Sequence, residues 1–269
     1  MRAAAPLSLV TGADSSHFLS LLQFLASVVH HEPDIMVRAY DLGLHPSERE
    51  ELEQKFSRYL LPRFDYAAHP PHVNISKGAG RYAWKPIIVW QTLLETAGPV
   101  CWMDAGNMLT GPLHAIRALL RQRGFFSFNS RGTANEWTHP AMLSYFGLTA
   151  DWAAGKRNLS GSCVAFHPRS LAALRLARRW RNGALVKKCI APRGSNRSNH
   201  RQDQALLTVL AHLHGFGDAF SGDHPGFVHR QDIDQDWRAR VAALPLRQAG
   251  DSAHAEQRMP EPGVGAGGR

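Results

Sequence analysis

The chain has 269 residues, a formal net charge of +9 and 44% hydrophobic residues. This length suits one large domain or two small ones, and the hydrophobic fraction is enough for a packed core. Three cysteines without metal-site or framework spacing argue against a zinc module and a disulfide scaffold. The N-terminus lacks the apolar core of a signal peptide, and no uncharged apolar stretch approaches about 18 residues. We therefore expect a cytoplasmic protein without a membrane span.

Positive charge is concentrated between Asp151 and Asp203, where no acidic residue occurs. This stretch, residues 152–202, holds twelve of the 31 Lys and Arg residues. The rest of the chain has nineteen basic and 22 acidic residues, so it is slightly acidic. A field of one sign favours phosphates, anionic lipid or nucleic acid. Peripheral membrane contact through this stretch stays open. Four of the arginines have the spacing of a solvated helix face instead: Arg175, Arg178, Arg179 and Arg181.

Strands and helices are predicted to alternate along the chain. The strand predictions are residues 7–11, 34–40, 63–66, 100–103 and 125–128, with a strand pair or a loop plus strand over 158–166. The helix predictions are residues 18–32, 86–96, 113–123, 168–180 and 202–213, with a further helix starting at Pro46. This alternation predicts an α/β fold, in which a mostly parallel sheet is flanked by helices. We expect a single domain over residues 1–234 and a disordered polar, Gly-rich tail over residues 235–269.

The most informative segment is the apolar run at residues 100–103, which ends on Asp104. In open α/β sheets, ligands bind outside the carboxyl ends of the strands. An Asp at that position can hold a metal, a ribose or a phosphate-bound cation, and Ala105 and Gly106 let a ligand approach the backbone. The alternative is a strand-end turn in which Asp104 bonds a nearby backbone N–H.

Two earlier segments carry polar groups at element boundaries. The loop after the first strand contains Thr11, Ala13 and Asp14, and Asp14 can bond a nucleotide base or ribose or simply cap the next helix. Tyr82 and Lys85 lie at a predicted helix start. A Lys at that end opposes the helix dipole, which favours binding of an anion. The alternative is a surface Lys beside a packed Tyr-Trp pair.

Two later segments are similar in kind. Asn158, Ser160 and Gly161 precede an apolar strand and can line a sugar-sized site, although an ordinary turn has the same composition. Asp203 and Gln204 open a predicted helix, where Asp203 either caps the helix or faces a ligand. Motifs for NAD, for a P-loop and for a serine-hydrolase elbow do not occur in the sequence.

Taken in this order, the segments resemble GT-A-type nucleotide-sugar glycosyltransferases, and the retaining galactosyltransferase and glycogenin group in particular. The resemblance covers about residues 7–230. It implies a Rossmann-like GT-A domain that moves a sugar from a nucleoside-diphosphate donor, with a UDP-sugar favoured, to an acceptor hydroxyl on a glycan, lipid or protein. The implied nucleotide-sugar-binding residues are Thr11, Ala13, Asp14, Tyr82, Lys85, Asp104, Ala105, Gly106, Asn158, Ser160 and Gly161, and the implied catalytic residues are Asp203 and Gln204.

The resemblance also implies a divalent cation, Mn²⁺ or Mg²⁺, held by Asp104 and His229. The family's D-x-D motif departs here to Asp104-Ala105-Gly106, so the second carboxylate is missing. Asn107 can offer an amide oxygen, which suits a hard cation. A metal held chiefly by Asp104 and a His, a metal-independent enzyme and a degenerate site all stay open.

Two other functional classes remain. A non-catalytic nucleotide-sugar or glycan-binding protein on the same fold would account for Gly106. A nucleic-acid binder would use residues 152–202 and show steep salt dependence. That stretch lacks a recognition motif, so no nucleic acid partner is expected.

Overall fold

The computed structural model describes residues 6–218, 220 and 225–229. A five-stranded sheet forms its centre, with the strand order β2–β1–β3–β8–β5. These strands are β1 (Ser8–Ala13), β2 (Met36–Asp41), β3 (Val100–Met103), β5 (Phe125–Phe126) and β8 (Cys163–Phe166). β1 pairs in parallel with β2 and β3, whereas β8 is antiparallel to both β3 and β5. The predicted mostly parallel sheet is confirmed, with β8 as its reversed strand.

Helices cover both faces of the sheet because its strands alternate side chains between two apolar layers. Cys101 and Met103 face the layer that contains α1 (Phe18–His31) and α4 (His114–Arg123). Val100 and Trp102 face the other layer, which contains α3 (Trp84–Thr96), α8 (Leu171–Ala184) and α10 (Asp203–Leu213). The sheet is thus buried on both sides, as the near-continuous apolar runs of its strands require.

The remaining elements surround this frame. The helices are α2 (Pro46–Lys55), α5 (Ala134–Trp137), α6 (Pro140–Tyr145), α7 (Ala150–Ala153) and α9 (Lys187–Ile190). Two further strand pairs lie outside the central sheet: β4 (Asn107–Leu109) with β9 (Phe227–His229), and β6 (Asn129–Thr133) with β7 (Arg157–Leu159). β4 begins three residues after Asp104, so the β4–β9 pair lies next to the end of β3.

Three element predictions need correction. The strand expected at 63–66 is reduced to isolated pairings of Leu60 and Arg63 with β2, because the Asp65 side chain accepts a hydrogen bond from Ala67 N and starts a 3-10 turn. The strand at 125–128 ends at Phe126. Residues 158–166 form two strands in different sheets rather than a pair. The predicted tail, residues 235–269, lies outside the described residues.

Candidate active site

Three charged side chains meet at the carboxyl edge of the central sheet. Asp104 follows β3, Lys85 lies in the first turn of α3, and Asp203 is the first residue of α10. The ammonium nitrogen of Lys85 lies 2.8 Å from Asp104 Oδ1 and 3.3 Å from Asp203 Oδ2. It also donates a hydrogen bond of 3.1 Å to the carbonyl oxygen of Gly161. The structure thus brings together four residues that the sequence singled out.

Charge and burial act in opposite directions within this cluster. Burial alone would lower the pKa of Lys85, but the charges of Asp104 and Asp203 outweigh it and raise the pKa above its usual value. Burial raises the pKa of Asp203 to about 6, and the charge of Asp104 adds to this effect while Lys85 opposes it. One ammonium is shared by two carboxylates, and burial makes Asp203 harder to ionise than an acid in water.

Asp104 is the more accessible of the two acids. Its side chain is 32% exposed, against 7% for Asp203. The indole N–H of Trp102 donates a hydrogen bond of 2.6 Å to Asp104 Oδ1, and the backbone N–H of Asp104 donates to the carbonyl of Ser162 at 2.8 Å. These contacts fix the carboxylate in position and leave part of it open to a ligand.

Gly161 packs directly against the cluster. A Cβ at this position would lie 3.2 Å from Asp203 Oδ2 and 3.5 Å from the Cβ of Gln204. The close approach therefore favours a residue without a side chain. Gln204 is half-buried, which makes it the more accessible member of the predicted catalytic pair.

Tyr82 and Arg197 form the outer rim of the cluster. The Arg197 guanidinium donates a hydrogen bond of 2.7 Å to the Tyr82 hydroxyl, and its carbon lies 5.7 Å from the centroid of that ring. The Lys85 nitrogen lies 5.8 Å from the same centroid. The ring thus lies within cation–π range of both a buried ammonium and an exposed guanidinium.

The backbone that carries Tyr82 is unusual. Residues 78–82 all lie in the left-handed region, with φ between 54° and 62°. Gly80 is required within this turn, because a Cβ there would lie 2.2 Å from the carbonyl oxygen of Val73. Left-handed backbone costs roughly 1–2 kcal/mol at each residue other than glycine. Such strain is concentrated at functional sites, and here it ends three residues before Lys85.

Arg197 lies on a basic loop, residues 191–202, that connects α9 to α10. His200 anchors this loop. It is completely buried, its Nε2 donates to the carbonyl of Ile190 at 2.9 Å, and its Nδ1 accepts from the backbone N–H of His139 at 3.2 Å. Burial lowers the pKa of His200 to about 4, so the ring is neutral near pH 7. A buried neutral histidine therefore holds the loop that presents Arg197.

The end of β1 lies beside this cluster, because β1 and β3 are parallel neighbours in the sheet. Thr11 and Ala13 are buried, so only Asp14 among the three predicted residues presents its side chain to solvent. Burial would raise the pKa of Asp14, but hydrogen bonds from Ser16 and His17 hold it below the usual range. Asp14 is the N-cap residue of the following 3-10 helix, and its carboxylate accepts hydrogen bonds from the side chains of Ser16 and His17 in that helix.

Asn107 and His229 bond to each other. They are direct partners in the β4–β9 pair, and His229 Nδ1 lies 2.9 Å from Asn107 Oδ1. The Asn107 amide nitrogen donates to the carbonyl of Ser162 at 2.7 Å, and the side chain is almost fully buried.

Ala105 is also buried, whereas Gly106 is half-buried. Among residues 6–218, 220 and 225–229, no group of three or more His, Cys, Asp or Glu side chains could hold a metal ion.

Two predicted residues have their contacts within the protein. Asn158 is buried, and its amide oxygen accepts from the hydroxyl of Thr208 at 3.0 Å, so it ties β7 to α10. Ser160 is also buried, and its hydroxyl lies 3.0 Å from that of Ser162. Both residues shape the segment that carries Gly161.

Sequence reasoning missed several residues of this site. Trp102 could have been found, because residues two apart on a strand share a face and Trp102 therefore points to the same side as Asp104. His200 and Ser162 carry no such signal. The role of His200 depends on its burial, and that of Ser162 on its backbone carbonyl, which any residue has. Tyr66 was also missed. Its ring is half-buried, and burial together with the charges of Asp14 and Asp41 raises its pKa.

Solved structures share this architecture at low sequence identity. The galactosyltransferase LgtC, solved with donor and acceptor sugar analogues, superposes with a TM-score of 0.53 at 12% identity, over 90% of this chain and 98% of that chain. Mouse xyloside xylosyltransferase 1 gives a TM-score of 0.52 at 10% identity, over 85% of this chain and 99% of that chain. The bifunctional glycosyltransferase WbbM gives 0.52 at 10% identity, over 91% of this chain and 51% of that chain.

The chain has the GT-A fold. This confirms the fold that the order of its motifs predicted. No family model and no curated protein matches the sequence, so the likeness is one of fold. Within the described part of the chain, none of the helices of this GT-A domain has the length and apolar character that crossing a membrane requires.

Proposed function

We propose that this protein is a glycosyltransferase that moves a sugar from a nucleoside-diphosphate donor to an acceptor hydroxyl. The observation that carries the proposal is the cluster of Lys85, Asp104 and Asp203 at the carboxyl edge of a GT-A sheet. Ligands of open α/β sheets bind at this edge. Buried acids with perturbed pKa values are also typical of functional sites. The solved proteins of the same fold are glycosyltransferases, which supports the reaction class.

In this proposal the donor lies across the ends of β1 and β3. Asp14 bonds the base or ribose, and Asp104 bonds a hydroxyl of the donor through its exposed part. Arg197 and Tyr82 face the diphosphate, and Gln204 faces the donor sugar. Lys85 fixes the two acids in position, because its ammonium has three donors and three protein oxygens surround it.

The reaction breaks the bond between the anomeric carbon and a diphosphate oxygen and forms a bond to the acceptor oxygen. The acceptor hydroxyl gives its proton to the departing diphosphate or to solvent. Negative charge grows on the diphosphate as it leaves, and the Arg197 guanidinium stabilises that charge. Removal of one such group typically costs about 10²–10³ in rate.

The divalent cation expected from the resemblance does not fit the described side chains. Gly106 offers no ligand, Asn107 directs its amide oxygen at His229, and Asp104 Oδ1 contacts both Lys85 and Trp102. UDP-sugars are the donors to test first.

A cytoplasmic location and peripheral membrane contact stay predictions.

A panel of nucleotide sugars, with release of nucleoside diphosphate as the readout, tests the function. We expect turnover with at least one donor, and Asp104→Ala should abolish it while the far-UV spectrum stays native. Asp34→Asn is the matched control, because Asp34 is an exposed acid outside the site. Full activity in Asp104→Ala would refute the assignment of that residue.

A non-catalytic nucleotide-sugar-binding protein is the second candidate. Gly106 favours it, because a site that lacks the second carboxylate of the D-x-D motif can retain binding without transfer. Tight binding of a nucleotide sugar with no release of diphosphate, for any donor and in the presence of acceptor sugars, would favour this candidate over the enzyme.

A further inference from the structure

The cluster around Asp104 already contains a cation of its own. The Lys85 nitrogen lies between the two acids, 2.8 Å from Asp104 Oδ1 and 3.3 Å from Asp203 Oδ2. Lys85 is almost fully buried, and its charge is retained because both acids raise its pKa. A second cation bound to Asp104 would face this ammonium at short range, and like charges in a buried site repel strongly.

The groups beside Asp104 that the resemblance offers as cation ligands are absent or already bonded within the protein. Position 106 is a glycine, and the Asn107 amide uses its nitrogen on Ser162 and its oxygen on His229. Mg²⁺ is usually bound through one or two protein carboxylates, with waters and substrate phosphates completing its coordination shell. In the described part of the chain, this cluster offers one substantially exposed carboxylate to a cation, that of Asp104.

Arg197 offers the positive charge that a diphosphate needs. Its guanidinium has five N–H donors, and the hydrogen bond to Tyr82 uses one of them. A planar guanidinium binds phosphate oxygens in pairs, which gives both strength and orientation. The side chain is exposed, and the basic loop that carries it is anchored through the buried His200.

We propose that this site binds the diphosphate of its donor without a divalent cation. Arg197 supplies the positive charge to the diphosphate, and Lys85 serves as the internal counter-ion of Asp104 and Asp203. This inference rests on the proposed function, because it concerns the donor of the same site.

Titration calorimetry with UDP, and with GDP and ADP if UDP does not bind, tests this proposal on the full chain. The protein is treated with a chelator and then measured with and without added MnCl₂. We expect binding of equal affinity in both conditions. Arg197→Ala should weaken binding of the diphosphate about 10- to 100-fold, since charge-assisted contacts to phosphate are among the stronger hydrogen bonds. It should leave the much weaker binding of the free nucleoside unchanged.

Arg178→Ala is the matched control, because it removes one exposed positive charge from α8 outside the site. It should bind UDP like the unmodified protein. Binding that appears only with Mn²⁺, or an Arg197→Ala variant that binds UDP as tightly as the control, would overturn this inference and leave the proposed function standing. No binding of any nucleoside diphosphate, with or without Mn²⁺, would overturn both.

Discussion

Lys85 and Asp203 lie on different helices, yet their charged atoms approach to 3.3 Å in a part of the protein from which water is almost excluded. Each side chain reaches this position from the first turn of its own helix. The pair therefore joins α3 to α10 at the edge of the sheet. A buried charge that loses its partner is costly, so the two residues matter for stability as well as for ligand binding.

Lys85→Met should destabilise the fold by about 3–5 kcal/mol, because it leaves two acids together without a counter-ion. Urea unfolding at neutral pH measures this change. Adding Asp203→Asn to the same chain should recover part of the loss, since one of the two unpaired charges is then removed. Lys77→Met, at an exposed lysine, is the control and should unfold like the original chain. Equal stability of Lys85→Met and the control would contradict the role of Lys85 as counter-ion.

The pKa of Asp203 predicts a specific dependence of stability on pH. Burial raises this pKa to about 6 from its ordinary value of 3.8, so between these values the folded state holds a proton that the unfolded state has released. Stability from this group is therefore present below pH 3.8 and is lost as pH rises through 6. As pH rises over this interval, the unfolding free energy of the original chain should fall relative to that of Asp203→Asn. A pH-independent difference would mean that Asp203 titrates normally.

His200 predicts the opposite slope. Burial lowers its pKa to about 4 from its ordinary value of 6.5, so as pH falls the unfolded state takes up a proton before the folded state does. The contribution of His200 is intact above pH 6.5 and is lost as pH falls towards 4, up to about 3 kcal/mol in all. In thermal melts, the melting temperature of His200→Gln should fall less steeply between pH 6.5 and pH 4 than that of the original chain. His30→Gln, at an exposed histidine, should keep the original slope.

Gly161→Ala tests the close approach of backbone and acid. Its Cβ would lie 3.2 Å from Asp203 Oδ2, so the carboxylate or the backbone must shift, at a cost of about 1–3 kcal/mol. We expect weaker donor binding together with a lower melting temperature. Gly111→Ala is a suitable control, because a Cβ at that glycine meets no atom within 4 Å. If both variants behave alike, the space beside Asp203 is larger than the structure indicates.

The fold was predictable because its strongest signals are local. The run at residues 100–103 was predicted as a strand and is β3, and the apolar spacing of residues 18–29 predicted a helix that is α1. The shorter elements were not predictable. β4 and β9 are three residues each, and they form because Asn107 and His229 become neighbours only in the folded chain.

Individual members of the candidate cluster were visible in the sequence, but their contacts were not. A lysine against a helix dipole and an acid after an apolar strand are visible in sequence, and both belong to the cluster. The sequence could not show that Lys85 turns towards Asp203, since that depends on how α10 packs. Nor could it show that Asn158 faces Thr208 in the core. An amide before a strand looks the same whether it faces a sugar or a neighbouring hydroxyl.

The pairing of β4 with β9 has a practical consequence for shortened forms of this protein. His229 bonds the side chain of Asn107, and Phe227 is buried in the same layer as α1 and α4. A chain cut after residue 218 would lose both contacts and expose the edge of β4 next to Asp104. Fragments intended for crystallography or for activity assays should therefore extend at least through residue 229.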